Sequence, residues 1–213
     1  SMLIASGWGC CSVTQAFVDK FKDDARFTTC CWSCADAGFS ADLDDTYEYT
    51  GYYTRKYAPM CFSDGTRQEV AFKLGEQHQN ITYYQDWTIM RYADVLLMYA
   101  ELTQDASYIK KVHLRSNPSD GKTITMADLN DERAIEFAFE GIPFWDLMRM
   151  EKDGAAAGRA IEEAQNGAVV YNGGVETLAS FKVENFNAKK GLMQIPNTQI
   201  TLSGGVLTQN AGW

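Results

Sequence analysis

Two glutamates four residues apart are the first candidates for chemistry in this chain of 213 residues. Glu136 and Glu140 lie one helical turn apart, and paired carboxylates can act as acid and base in the hydrolysis of a glycosidic bond. The same residues also fit the charged side of an amphipathic helix. In that reading Glu132, Arg133, Glu136 and Glu140 share one face, Arg133 screens its neighbours, and Arg91 or Arg149 bridges to another helix. Glycosidase carboxylates face each other across a cleft from different elements, so the helix-side reading is preferred and hydrolysis kept as the alternative.

The cysteines are the second candidates. Six stand at positions 10, 11, 30, 31, 34 and 61, and Cys31-Trp32-Ser33-Cys34 has the CxxC spacing of redox and zinc sites. A tetrahedral zinc site wants a second spaced pair or histidines, and His78 and His113 are isolated. Structural cysteines and no metal are therefore expected. The chain contains no GxSxG, P-loop, GxGxxG or HExxH motif, so neither an activated nucleophile nor a cofactor is indicated.

The third candidates are rings. Trp8, Trp32, Tyr47, Tyr49, Tyr52 and Tyr53 crowd the first quarter of the chain, with Asp42, Asp44 and Asp45 among them. Sugars present an apolar face of C–H groups that stacks on such rings, while carboxylates at the rim accept hydroxyl hydrogen bonds. Trp8, Trp32, Tyr47, Tyr49, Tyr52, Tyr53, Asp44 and Asp45 are the candidate ligand-binding residues. The competing role for any one ring is to pin an irregular segment to the core.

These candidates need elements to hold them. In residues 87–101, WTIMRYADVLLMYAE, Ile89, Tyr92, Ala93, Leu96, Leu97 and Ala100 recur at steps of three and four, which makes one apolar helical stripe. Residues 126–150 sort similarly, with Ala134, Ile135, Ala138, Phe139 and Ile142 opposite the charged side. The two stretches are expected to pack as an antiparallel pair. Thr14 reads as the N-cap of a short helix burying Phe17, Val18 and Phe21, and Thr125 with Asp128 as a capping box. Residues 106–114 form a further short helix, and Asn117-Pro118-Ser119-Asp120-Gly121 a loop. Gly141-Ile142-Pro143 should stop or kink the long helix, with a short helix at 144–151. Residues 159–165 are helical and the remaining tail is loop with short extended pieces.

The resulting class is mainly α: a helix pair packed with loop-rich segments and short β pieces. It divides into a loop-rich aromatic stretch (1–86), a helical core (87–150) and a loop-rich tail (151–213). With 28 acidic against 19 basic side chains, net charge −9, the chain lacks the clustered cations that a nucleic-acid surface requires. No run is long enough to span a membrane, and no signal peptide is legible. Ser1-Met2 reads as a trimmed start, so a fragment of a longer protein is expected.

Three stretches then carry a family resemblance. Residues 91–101, RYADVLLMYAE, resemble the signature of the SusD-like (SusD/RagB) outer-membrane proteins. ERAIEFAFEG at 132–141 with FWDLMR at 144–149 is similar to that family's ERxxExAFEGxRFWDLxR, and Ile195-Pro196 with QNAGW at 209–213 is similar to its closing IP and QNPGY elements. The opening Gly7-Trp8-Gly9 to Arg26 resembles the family's middle region, so the likeness spans nearly the whole chain as the C-terminal portion of such a protein. The resemblance implies a fold containing tetratricopeptide-like helix pairs. It further implies a non-catalytic, surface-exposed glycan-binding protein of the outer membrane, of gut or oral Bacteroidetes type, that delivers substrate to a SusC-like TonB-dependent transporter. Membrane attachment would run only through an N-terminal lipid anchor absent from this sequence. The family's first-half helical repeats are absent too, Ile142-Pro143 stands where an Arg is usual, Ala211 replaces a Pro, and the break at 102–105 is shorter than usual. The family's sugar-binding residues lie outside its motifs, so none transfers to a numbered position here.

Overall fold

The structure, a computed structural model, describes residues 2–4, 12–36, 48–57, 60–62, 88–150, 155–166, 169–178 and 180–213. Trp8, Tyr47, Asp42, Asp44, Asp45, His78 and Trp87 lie outside the described residues.

The first helix, α1 (Gln15–Phe21), starts where the N-cap reading places it: the Thr14 hydroxyl accepts the Phe17 amide, and Val18 and Phe21 are buried. Phe17 tilts against Phe21 and Phe139, with ring centroids 4.8 and 5.7 Å apart. The short α2 (Phe27–Cys30) runs directly into a strand. Three antiparallel two-stranded ribbons are present among the described residues: β1 (Met2–Ile4) with β4 (Met60–Phe62), β2 (Cys31–Ser33) with β3 (Tyr52–Thr54), and β5 (Val169–Asn172) with β6 (Val175–Leu178). In the second ribbon Trp32 sits opposite Tyr53 and Cys31 opposite Thr54. Of the expected Tyr47-Glu48-Tyr49 alternation, Tyr47 lies outside the described residues and Tyr49 makes an isolated antiparallel bridge to Tyr171. The β2–β3 ribbon begins only at Tyr52, because Glu48 (φ 51°) and Gly51 (φ 88°) both take left-handed backbone that interrupts an extended run.

The helical centre departs from expectation in its pairing. Helix α3 (Tyr92–Thr103) turns over at Gln104, left-handed at φ 57°, and Asp105 caps α4 (Ala106–Ser116) by accepting the Ser107 amide at 2.9 Å. The break at 102–105 is a tight connection, and α3 packs most extensively on α4. Helix α5 (Leu129–Glu136) then closes against both. The helix pair is therefore α3–α4, with the 126–150 stretch as third member. Its capping box is present, with Asp128 Oδ2 accepting the Thr125 amide at 2.8 Å, but the first turn, Met126–Asp128, is 3-10.

The interruption of the 126–150 stretch also falls earlier than Pro143. Helix α5 ends at Glu136, and a turn with Phe139 (φ 63°) and Gly141 (φ 79°) in left-handed backbone leads into α6 (Ile142–Met150). Pro143 occupies the second position of α6, where its missing N–H has no intrahelical acceptor to lose. The tail is more helical than expected. Helix α7 (Ala155–Gln165) is followed by the β5–β6 hairpin through Gly173-Gly174, then α8 (Val183–Ala188) and α9 (Asn197–Leu202). At Gly158 a Cβ would stand 2.7 Å from Asn187 Oδ1, so this glycine lets α7 and α8 cross closely.

Two apolar clusters form, and α5 with the turn after it is the wall between them. Ile135 and Ala138 join Val18, Phe21, Phe27 and Cys30 on one side. Leu129 and Phe137 join Ala93, Leu97, Ala100 and Ile109 on the other. The expected stripe of α3 is only partly buried: Leu97 and Ala100 are 0% exposed, but Ile89 is 84% and Tyr92 73% exposed. Tyr92, Val95, Tyr99 and Leu102 form a second, outward apolar face, on which Tyr99 meets the Tyr108 ring edge-on at 4.8 Å.

The two faces of α3 predict opposite sensitivities. Leu97→Ala should cost about 2–5 kcal/mol through the cavity it opens, whereas Tyr92→Ala should shift stability by at most about 0.5 kcal/mol. Urea denaturation midpoints of the two variants check this, and equal losses would contradict the assigned burial.

Candidate functional site

The charged side of α5 does not face water. Glu132, Arg133, Glu136 and Glu140 are each 5% exposed or less, so all four charges need partners. Glu136 takes three guanidinium groups. Arg26, on the turn between α1 and α2, reaches it at 3.0 Å; Arg91, preceding α3, at 2.5 Å; and Arg115, at the end of α4, places Nη2 2.7 Å from both carboxylate oxygens. Glu140 receives Arg91 Nε at 2.9 Å and Nη2 at 2.8 Å, and pairs with Lys56 from beyond β3. Lys56 and Arg91 also donate to the Glu136 carbonyl, at 2.8 and 2.6 Å. Arg91 thus bridges helices as the sequence suggested. The roles of Arg26, Lys56 and Arg115 carried no sequence signal.

Arg26 is itself held by Asp24, Nε to Oδ1 at 2.9 Å and Nη2 to Oδ2 at 2.8 Å, and by Glu132. Beyond Glu132 the chain of charges continues through His113, whose Nδ1 lies 2.9 Å from Glu132 and whose Nε2 lies 2.8 Å from Asp120. On the other side of α5, Arg133 joins Asp94 of α3 at 2.8 Å to Asp146 of α6 at 2.6 Å, with Nη1 buried and lacking a partner. The expected bridge from Arg149 goes to Glu101, at 2.6 and 2.7 Å. The buried Phe137 ring lies between two guanidiniums, 4.7 Å from Arg91 and 5.1 Å from Arg133.

This settles the electrostatics of the candidate acid–base pair. Burial alone would raise the Glu136 carboxyl, but hydrogen bonds from Arg91, Arg115 and Arg26 outweigh it and hold the group below the ordinary carboxylate range. Burial opposes hydrogen bonds from Arg91 and Lys56 at Glu140 with the same net result. Both side chains are ionised and locked to cations, so neither keeps a proton for a leaving group. Arg26, Lys56, Arg91, Arg115, Glu136 and Glu140 also line a cleft of about 400 Å³, completed by Tyr57, Thr88, Thr29 and Ser116.

The aromatic candidates divide by strand parity. Cys31 and Tyr52 turn inward, Cys31 into the first apolar cluster and Tyr52 against it. Trp32 and Tyr53 occupy the other face as directly opposed residues. Tyr49 lies 5.9 Å from Tyr53 and 6.4 Å from Tyr171 of β5, and the Tyr49 and Tyr171 backbones exchange hydrogen bonds of 3.0 Å in both directions. Trp32, Tyr53, Tyr49 and Tyr171 therefore form a row of half-buried rings. Tyr52 belongs to the core side and is not in that row. Tyr171 was missed because its partner is more than a hundred residues away and nothing local marks it. Burial and a hydrogen bond with Cys34 push the Tyr49 hydroxyl up to about 12, so it stays neutral.

The CxxC cysteines, with Cys30, are buried thiols. Burial pushes Cys31 up to about 12, which removes the thiolate that redox or metal chemistry needs. Among the described residues no group of His, Cys, Asp or Glu could hold a metal ion, and no helix is long and apolar enough to cross a membrane.

His113 supplies a pH test. Burial lowers its affinity for a proton, but hydrogen bonds to Asp120 and Glu132 outweigh burial and the repulsion of Arg26, leaving it raised. A raised folded value contributes stability below the unfolded value of about 6.5, and that contribution is lost as pH rises through the folded value. The denaturation midpoint should therefore fall between pH 6 and the alkaline side of 7 in the wild type and fall less in His113→Gln. Parallel pH profiles would refute this.

Comparison with known proteins places this geometry. Residues 31–213 match the model of the SusD family. Two solved structures share the fold: surface glycan-binding protein A from Bacteroides thetaiotaomicron, free and in complex with laminarihexaose. Each is 24% identical with a TM-score of 0.67 and covers 97% of this chain, but only 42% of the solved chain is matched, so the present chain spans less than half of its length. No curated protein matches the chain. The matched residues run from β2 to the last residue and take in the whole of α3 to α9, and the chain belongs to the SusD family.

Proposed function

We propose that this chain is part of a protein that binds oligo- or polysaccharide at the bacterial outer-membrane surface, without cleaving it, and hands it to a SusC-like TonB-dependent transporter. The observation that carries the reading is the row Trp32, Tyr53, Tyr49 and Tyr171, which offers adjacent ring faces of the kind that stack on pyranose C–H surfaces. Family membership supports it, as does the laminarihexaose held by the structurally similar Bacteroides protein. Transporter delivery and lipid anchoring follow from the family resemblance. Trp8, Tyr47, Asp44 and Asp45 remain candidates for the same surface.

The absence of turnover is supported by the state of Glu136 and Glu140, which are ionised and cation-bound on a single segment. A second reading, a helical scaffold whose ligand is a protein such as the transporter, is favoured by the outward apolar face of α3.

Affinity electrophoresis against a panel of polysaccharides separates the readings. Retardation without released oligosaccharide is expected, and Trp32→Ala or Tyr171→Ala should each weaken binding about tenfold, equivalent to ~1.4 kcal/mol for one lost ring contact. Failure of every glycan to retard the protein, with transporter binding intact, would favour the scaffold. Product release by the wild type would return Glu136 and Glu140 to consideration as catalysts.

A further inference from the structure

We propose that the cleft between Lys56, Arg91 and Arg115 is a subsite for the carboxylate of an acidic sugar, so that the glycan bound is a uronate-containing one. The inference rests on the glycan-binding reading and extends it from an aromatic row to a charged pocket beside it.

The charge of the lining is unequal. Four cations, Arg26, Lys56, Arg91 and Arg115, face the cleft with two carboxylates, Glu136 and Glu140. The groups that further balance Arg26, Asp24 and Glu132, do not line it. The four cations are also unequally committed. Arg26 and Arg91 use Nε and both terminal nitrogens on protein oxygens, and Lys56 serves Glu140 and a carbonyl. Arg115 is different: its side chain is 56% exposed, and among the described residues only Nη2 is engaged, on Glu136. Nε–H and the Nη1 amino group, which lie on different edges of the guanidinium, make no contact among the described residues and can each still donate. A sugar carboxylate can accept a charge-assisted hydrogen bond from one of these donors, and the Nη2 contact with Glu136 holds the guanidinium in place.

The surroundings suit a sugar. A volume of about 400 Å³ falls within the range of small-ligand pockets. Ser116 lines the cleft beside Arg115, and Tyr57 adds a half-buried ring. The cleft also adjoins the aromatic row through the backbone. Thr29 and Cys30 lead straight into β2, Lys56 and Tyr57 follow β3, and the Arg55 amide closes the junction on the Cys30 carbonyl at 2.7 Å. The Trp32–Tyr53 pair is one ladder step beyond the Cys31–Thr54 pair, so row and cleft are separated by about 7 Å of strand. One oligosaccharide can stack on the rings and place a carboxylate at Arg115.

The test is calorimetric titration of the full chain with a uronate oligosaccharide and with its carboxyl-reduced, neutral counterpart at low salt. The wild type should bind the acidic sugar about tenfold more tightly, with the preference shrinking as salt rises. Arg115→Gln should abolish the preference for the acidic sugar over its neutral counterpart. Arg115→Lys should keep part of it, since the positive charge survives and the planar donor geometry does not. Trp32→Ala should weaken both sugars equally. A wild type that binds both sugars alike, or a preference that survives Arg115→Gln, overturns the subsite while leaving glycan binding standing. Failure of both sugars and of every neutral glycan overturns the glycan-binding reading itself.

Discussion

The carboxylate of Glu136 is the interaction on which the rest of the structure depends. Its side chain is only 2% exposed, and removing such a charge from water costs several kcal/mol unless partners replace the hydration. The partners come from three places far apart in the chain: the turn after α1, the residue before α3 and the last turn of α4. None of these segments can shift without stranding the charge. Burial of the glutamate therefore helps fix the mutual position of the first apolar cluster and the α3–α4 pair, which lie on either side of the α5 wall.

The turn after α5 extends the same constraint. Had the helix continued through residues 137–140, Glu140 would have remained on the Glu136 face one turn along. Instead Phe139 and Gly141 adopt left-handed backbone, the chain turns, and Glu140 still reaches Arg91 before α6 starts. Helix α6 brings Asp146 to Arg133, and Phe137 is caught between the Arg91 and Arg133 planes. A left-handed non-glycine residue costs about 1–3 kcal/mol and persists only where its surroundings over-determine it. Here two ion-pair systems on opposite sides of one ring supply that determination.

Much of this was legible in the sequence, and what was not has a common cause. The steps of three and four in residues 87–101 located α3, and Thr14 and the Thr125–Asp128 pair marked helix starts because capping is local chemistry. Periodicity separates apolar from polar faces, but it does not separate water from a buried ion pair, so the charged side of α5 was legible as a charged helix face with Arg91 or Arg149 bridging, and its burial was not. Nor does it show that a helix can carry apolar residues on two faces, as Tyr92, Val95, Tyr99 and Leu102 demonstrate on α3. Arg26, Lys56 and Arg115 meet Glu136 and Glu140 across separations of 21 to 110 residues, and Tyr171 joins Tyr49 across a similar distance. Such contacts are set by the fold and have no sequence period.

The site inherits its rigidity from these constraints. Cys31 and Tyr52 anchor one face of the β2–β3 ribbon in the first cluster, and the period of two in a strand then forces Trp32 and Tyr53 to the other face. Tyr49 is held by its hydrogen bond with buried Cys34, one residue past β2, and is tied to the tail hairpin through Tyr171. The cleft beside them is shaped by guanidinium groups that Glu136 and Glu140 hold in fixed geometry. Rings and cations fixed before a ligand arrives lose little freedom on binding, which favours affinity over rearrangement. The same locking removes what acid–base catalysis by Glu136 and Glu140 requires, a carboxyl able to exchange its proton, so the network that fixes the proposed binding surface also takes these two carboxylates out of that role.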